Sequence, residues 1–248
     1  MIKLNNISVT FGKGTPLENQ LLHKLDLKIN SGEFVTVIGG NGAGKSTLLN
    51  LISGDILVDA GSIILDGTSV THWPTFARAK LISRVFQDPL LGSYSDLTIE
   101  ENLSLAFYRG KKRTLKMALN TATRESFRDR LADIGIGLEN RLSDKMGLLS
   151  GGQRQAVSLL MATIQPSKIL LLDEHTAALD PKMEGLILEL TQKLILEKKL
   201  TALMITHCMA QALQFGTRTL VMHHGKIVHD LQEKERNNLK AADLMAFF

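Results

Sequence analysis

The sequence predicts an α/β fold in which a mostly parallel, covered sheet is interrupted by a helical insertion. Three observations carry that expectation. Short all-apolar runs alternate with helical stretches in the last third of the chain, the pattern left by parallel strands joined through crossover helices. A β-branched run in the first third enters a glycine-rich loop and then a helical stretch. Between residues 99 and 131 proline is absent and apolar side chains recur at helical spacing, which marks an insertion with its own buried face.

Taken in order, residues 2–11 and 21–29 alternate like half-buried antiparallel strands. Phe34, Val35, Thr36, Val37 and Ile38 form the strand before the glycine loop, and a helix is expected over residues 46–53. Residues 61–65 read as a strand ended by the Asp66-Gly67 turn, and residues 82–86 as another that closes at Gln87, Asp88 and Pro89. The insertion places Ile99, Leu103, Leu105, Phe107, Leu115, Leu119 and Ala122 at helical intervals. Strands return at residues 169–172, 202–205 and 220–222, separated by helices over 181–197 and 209–215. There is no internal repeat and no low-complexity linker.

Composition narrows the function classes. A chain of 248 residues with 44% hydrophobic and 22% charged residues is ordinary globular protein, not a disordered segment. Aromatics at 5% argue against a sheet that stacks RNA bases. A single cysteine, Cys208, leaves no disulfide framework or cysteine-rich zinc site and fits a reducing compartment. No apolar run approaches the roughly eighteen residues of a membrane span. Met1 leads straight into a strand-like stretch, so no signal peptide is expected.

The charge is uneven. Residues 109–145 hold ten Lys/Arg and five Asp/Glu, a net +5 against +4 for the whole chain, so the remainder is near neutral. This stretch reads as a solvated helical face, or as a face turned toward anionic headgroups or an acidic partner. No aromatics are interleaved with these charges, so nucleic acid is the weakest of the three readings.

Gly39, Gly40, Asn41, Gly42, Ala43, Gly44, Lys45 and Ser46 match G-x-x-x-x-G-K-[ST] between a strand and a helix, the context that gives the pattern meaning. Glycines let consecutive N–H groups turn inward around phosphate oxygens, and the helix start adds the positive end of its dipole. Lys45 supplies a charge for the β- and γ-phosphates, and the Ser46 hydroxyl is a candidate Mg²⁺ ligand, with Thr47 following. Further on, Asp173 and Glu174 end the apolar run 169–172. Two carboxylates beside a buried strand are costly unless a metal–nucleotide complex offsets them. Asp173 is then the metal-side acid and Glu174 the group that polarises water. A third string, Leu149, Ser150, Gly151, Gly152 and Gln153, opens a helix with Ser150 as N-cap, a second anion-ready helix start.

With these strings in place the chain resembles the ATP-binding subunit of ABC transporters, from about Met1 to Phe248. The resemblance implies a P-loop NTPase core of the RecA-like type, with an antiparallel β subdomain and an inserted α-helical subdomain. It implies one ATPase domain over residues 1–248, the core in 1–87 and 165–248 and the helical, signature-bearing part in 88–164. Ser150, Gly151, Gly152 and Gln153 would contact ATP held by the other protomer, giving a head-to-tail homodimer with two sandwiched nucleotides. Phe11 falls where the family stacks an aromatic on adenine, and Gln87 where it senses Mg²⁺ and the γ-phosphate. Asp180 lies on the loop that crosses the dimer interface, and His207 matches the switch histidine at the γ-phosphate. ATP and Mg²⁺ are the implied cofactors. Integral-membrane permease subunits and a periplasmic solute-binding protein are the implied partners, with the chain in the cytoplasm on the inner face of the membrane.

The departures are informative. Gly40 stands where many members carry proline, a change that leaves the cradle intact. His175 follows Glu174 where proline is common; it reads as a residue facing solvent or the dimer interface, or as a second titrating group. The string from Glu174 through Pro181 and the helix after the signature resemble importers linked to tryptophan/tyrosine-type periplasmic binding proteins, hence import of a small solute such as an amino acid. His223, His224 and His229 straddle a hairpin at Gly225 and Lys226 and read as an exposed turn rather than a metal site. Cys208 reads as packing. The rival from another class is a soluble ATPase of the same family serving assembly or repair, although the long insertions and second cassette of several such proteins are missing.

Overall fold

The computed structural model describes residues 1–111 and 117–247; Lys112, Arg113, Leu115 and Lys116 lie outside them. The chain divides into two compact units, one of Met1–Ile82, Lys168–Glu174 and Ile195–Phe248, the other of Ser83–Ser167 and His175–Leu194.

In the first unit, β1 (Ile2–Phe11) and β2 (Asn19–Ile29) pair antiparallel, with β4 (Ala60–Leu65) on the other side of β1 and the short β5 (Thr68–Ser69) at the edge. Their alternation places Ile2, Leu4, Ile7, Leu25, Leu27, Ile63 and Leu65 in the core. The period is broken where β1 slips register between Leu4 and Ile7, opposite a slip near Leu25; Asn6 and Lys24 take positive φ there, the mark of a bulge.

The second sheet holds β3 (Phe34–Gly39) at its centre, parallel to β8 (Thr201–Ile205) and to β9 (Arg218–His223). β7 (Ile169–Asp173) continues it parallel to β8, β6 (Ile82–Val85) follows, and β10 (Lys226–Leu231) closes the opposite edge antiparallel to β9. β3, β7 and β8 are buried through nearly their whole length, which is why they read as continuous apolar runs. Helix α1 (Lys45–Ser53) leaves the loop after β3 and buries Leu48, Leu49, Leu51 and Ile52 in the same core as both sheets. The short α2 (Thr75–Arg78) carries Arg78, fully buried, whose guanidinium donates to the carbonyls of Leu51, Ile52, Thr71 and Trp73.

The second unit is helical. α3 (Ile99–Phe107) and α4 (Thr121–Ala132) pack with α5 (Gly151–Thr163) around Leu103, Phe127, Leu131, Val157 and Leu160. The apolar spacing between residues 99 and 131 thus serves two helices, and Leu119 falls between them just before the Asn120 cap of α4. α6 (Pro181–Lys198) contributes Ile187 to this core. Back in the first unit, α7 (Met209–Gln214), α8 (Glu233–Arg236) and α9 (Ala241–Met245) form the C-terminal part, with Ala212 and Leu244 packed beside Ile38 and Val221. α8 and α9, four and five residues long, are too short to leave a periodic signal in the sequence.

Candidate functional site

Parallel strands deliver their C-terminal ends, and the loops that follow them, to one edge of a sheet. Here the ends of β3, β7 and β8 carry the phosphate loop, Asp173 with Glu174, and His207.

The loop from Gly39 to Gly44 is shaped by its neighbours. A Cβ at Gly39 would stand 2.4 Å from the Met222 carbonyl oxygen of β9, so no side chain fits there. Gly44 caps α1 in the left-handed region at φ 99°, which favours glycine. Gly40 faces open space, in keeping with its tolerance of change. The Gly225 N–H donates to the Ala43 carbonyl at 3.0 Å, so the β9–β10 turn braces the loop from outside. Lys45 is buried, and its Nζ donates to the carbonyls of Gly39 at 2.7 Å and Gly40 at 3.0 Å. Burial pushes its ammonium pKa down, while the charges of Glu174 and Asp173 act in the opposite direction; the three groups share one field.

Asp173 ends β7 in register with Ile205 of β8. Glu174 then turns into the left-handed region at φ 44°, a strained backbone for a side-chain-bearing residue. Its N–H is held by the Ile205 carbonyl at 3.2 Å, and its Oε1 meets His207 Nε2 at 2.6 Å. The turn explains how adjacent acids serve different directions. Asp173 stays with the strand while Glu174 is swung toward the loop after β8. His207 sits between that strand and α7, its side chain 47% exposed. Phe11 ends β1 with its ring 69% exposed, an uncommon placement for a phenylalanine and a suitable face for a planar partner. Asn41 and Ser46 are exposed, and Thr47 is half-buried at the start of α1.

Mg²⁺ fits this donor set. Ser46 offers an exposed hydroxyl and Asp173 a carboxylate at a strand end, and no group of three or more His, Cys, Asp or Glu gathers among the described residues. Few protein donors suit an ion that keeps water and nucleotide phosphates as most of its ligands.

The second unit gathers the remaining expected residues. Ser150 and Gln153 form a reciprocal cap, the Gln153 N–H donating to Ser150 Oγ and the Ser150 N–H to Gln153 Oε1. Gly151 faces open space, whereas a Cβ at Gly152 would run into the Met183 side chain. The Met183 N–H is in turn capped by Asp180 Oδ1 at 3.1 Å, so the signature helix and the Asp180 loop meet through that methionine. Gln87 is exposed just beyond β6. Gln155, 1% exposed within α5, donates from Nε2 to the Phe86 carbonyl beside it. Gln155 has no role in the sequence reading; a glutamine inside an otherwise apolar helical face is its one signal.

Two expectations change. His175 faces neither solvent nor an interface: it is 2% exposed, its Nε2 lies 3.1 Å from Thr191 Oγ1, and burial lowers its pKa to about 4. Cys208 is not packing but exposed, as the residue before α7, with its N–H held by Thr206 Oγ1. Part of the basic stretch is also paired within the chain. Arg109 is bonded to Ser83, Arg124 pairs with Glu100, Arg141 pairs with Asp144, and Lys111 lies over the Phe107 ring at 3.7 Å.

Known proteins match this arrangement over nearly all of the chain. The profile of the family described as "ABC transporter" matches residues 22–177. A tyrosine transport ATP-binding protein of Clostridioides difficile is 44% identical over 248 residues, 100% of this chain and 98% of that protein. A thiamine import ATP-binding protein, ThiQ, of Shigella flexneri serotype 5b is 35% identical over 242 residues, 98% of this chain and 96% of that one. Among solved structures, an ATP-binding cassette in a dimeric post-hydrolysis state bound to ADP and Pi aligns with a TM-score of 0.81 at 28% identity, covering 94% of this chain and 99% of that chain.

Proposed function

From the premise that this chain belongs to the ABC transporter ATP-binding family, we propose that Glu174 and His207 act together on ATP held by the loop from Gly39 to Thr47, and that the cycle powers import of a small solute. The chain is an ATPase with a RecA-like P-loop core that dimerises on binding ATP. The 2.6 Å contact between Glu174 Oε1 and His207 Nε2 carries the reading of the residues. It holds a carboxylate and an imidazole at the end of the sheet where Lys45 feels both Asp173 and Glu174.

In the proposed step Phe11 stacks on adenine, the N–H groups of the glycine loop enclose the β-phosphate, and Lys45 exchanges its loop carbonyls for β- and γ-phosphate oxygens. Ser46 and Asp173 would hold Mg²⁺, which neutralises phosphate charge when bound. Glu174 accepts a proton from the water that attacks the γ-phosphorus as the bond to ADP breaks. His207 donates to a γ-phosphate oxygen and keeps Glu174 oriented. Ser150, Gly151 and Gly152 would meet the γ-phosphate on the other protomer, with Gln153 closing the cap and Asp180 at the interface. ATP then bridges the dimer, and loss of phosphate removes the bridge.

The relatives support the partners proposed. A tyrosine transport protein and a thiamine import protein match nearly end to end, which supports an amino-acid or similarly small cargo. No helix among the described residues is long and apolar enough to cross a membrane. A separate polytopic permease, a periplasmic binding protein and a place on the inner membrane face complete the proposal. Glu174→Gln tests the chemistry: it should retain ATP binding, lose turnover and accumulate a closed dimer on size exclusion. Wild-type hydrolysis by that variant would remove Glu174 from its role. Co-purification of a polytopic permease from solubilised membranes tests the partner.

A further inference from the structure

Arg236 lies nearly thirty residues beyond His207, yet its side chain ends on the helix that follows the histidine. It is 5% exposed. Nη1 donates to the Gly216 carbonyl at 2.6 Å, and Nη2 approaches the carbonyls of Ala212 at 2.7 Å, Leu213 at 2.9 Å and Phe215 at 2.7 Å. Ala212 and Leu213 belong to the last turn of α7, where carbonyls lack helical partners, Phe215 caps it and Gly216 follows; one guanidinium gathers all four carbonyls. The Ala212 carbonyl also accepts from the hydroxyls of Thr36 in β3 and Thr219 in β9. The carbonyl end of α7 is therefore bolted to the sheet at a single residue, and Arg236 is the outer part of that bolt.

The other end of α7 carries the switch histidine. Thr206 Oγ1 donates to Gln211 Oε1 at 2.7 Å, and the Cys208 N–H donates to Thr206 Oγ1 at 3.0 Å. The Ala212 N–H returns to the Cys208 carbonyl. The residues on both sides of His207 are thus fixed by hydrogen bonds, while its exposed imidazole has Glu174 as its partner. A six-residue helix is too short to hold itself in place, so its position depends on what grips its ends.

We propose that Arg236 is a positioning residue for His207: by fixing the carbonyl end of α7 it sets where the imidazole meets Glu174 and the reacting phosphate. This rests on the reading of His207 given above. The guanidinium touches no reacting atom, and its effect is transmitted through one turn and a half of helix. Lysine at 236 would keep the charge but not a planar fork that reaches several carbonyls at once.

The test uses the full chain and steady-state hydrolysis of Mg²⁺-ATP by wild type, Arg236→Lys, His207→Ala and the double variant. In Arg236→Lys, kcat should fall about tenfold, as displaced catalytic groups do, with KM within about twofold and the melting temperature nearly unchanged. The double variant should turn over no more slowly than His207→Ala alone, because the arginine acts through the histidine. Wild-type kcat in Arg236→Lys, or effects that multiply in the double variant, would overturn the proposal. His207→Ala on its own reports on the histidine's role, and a wild-type rate there would sink that reading separately. Should Arg236→Lys not fold, Thr219→Val loosens the same carbonyl from the sheet side. A severalfold lower kcat at unchanged KM supports the proposal, and a wild-type kcat overturns it.

Discussion

His175 Nε2 stands 3.1 Å from Thr191 Oγ1, deep in the helical unit and one residue past Glu174. The Thr191 hydroxyl donates to the Ile187 carbonyl at 2.7 Å, so toward the imidazole it is an acceptor and Nε2 carries the proton. The ring is accommodated as a neutral group. Its pKa falls to about 4 through burial, below the roughly 6.5 of an unfolded chain.

Stability should follow that difference. Above the unfolded pKa neither state binds the proton and the histidine is neutral in both. As pH falls from about 6.5 toward 4 the unfolded state takes up a proton that the folded state refuses, so stability is lost, by an order of 3 kcal/mol in total. Urea titrations across that window should show the decline. His175→Gln, which keeps a donor for Thr191 but cannot titrate, should flatten it; an unchanged slope would show that other groups cause the acid sensitivity.

The phosphate loop separates two glycines that look alike in sequence. Gly39→Ala places a Cβ against the Met222 carbonyl, and because that oxygen belongs to backbone the clash must be relieved by moving β3 or β9. A loss of about 1–3 kcal/mol is expected, as for other overpacked sites. ATP affinity should fall with it. Gly40→Ala meets nothing, and nucleotide titration should give wild-type affinity.

Arg78 should be among the more sensitive positions outside the site. Removing its guanidinium in Arg78→Met leaves the carbonyls of Leu51, Ile52, Thr71 and Trp73 without their donor. Each unsatisfied buried acceptor costs about 1–3 kcal/mol before relaxation. A destabilisation of about 3 kcal/mol or more should appear in the denaturant midpoint, with weakened ATP binding because α1 begins at Lys45 and ends on this arginine.

Such positions mark the limit of what the sequence conveys. The all-apolar strands, the phosphate string and the acids after residue 172 were legible because each is contiguous, and their chemistry requires that spacing. Arg78, Gln155, Arg236 and His175 were not. Their partners are carbonyls or a hydroxyl brought close only by folding, and a buried cation on backbone oxygens leaves no periodic trace. The middle third was legible as a helical insertion but not in detail: two helices share one apolar core, so spacing alone could not show the break near Asn120. Cys208 resembled a packing residue because a lone cysteine usually is one, whereas here it follows the exposed His207 into α7.

The signature loop offers a test that separates folding from assembly. Gly151 heads α5 with open space where its side chain would be, while Gly152 is pressed against Met183. A substitution at 151 should therefore leave the isolated chain intact, and an acid there even favours the positive end of the helix. If the open N–H of Gly151 meets the γ-phosphate on a second protomer, Gly151→Asp puts a carboxylate against that phosphate. The expected outcome is a wild-type melting temperature and ATP binding, with ATP-dependent dimerisation lost and hydrolysis reduced by at least about a hundredfold, since like charges cost several kcal/mol at an interface. Sedimentation in the Glu174→Gln background, where the closed dimer is expected to persist, reads the interface directly. A stable closed dimer carrying Gly151→Asp would place the γ-phosphate elsewhere.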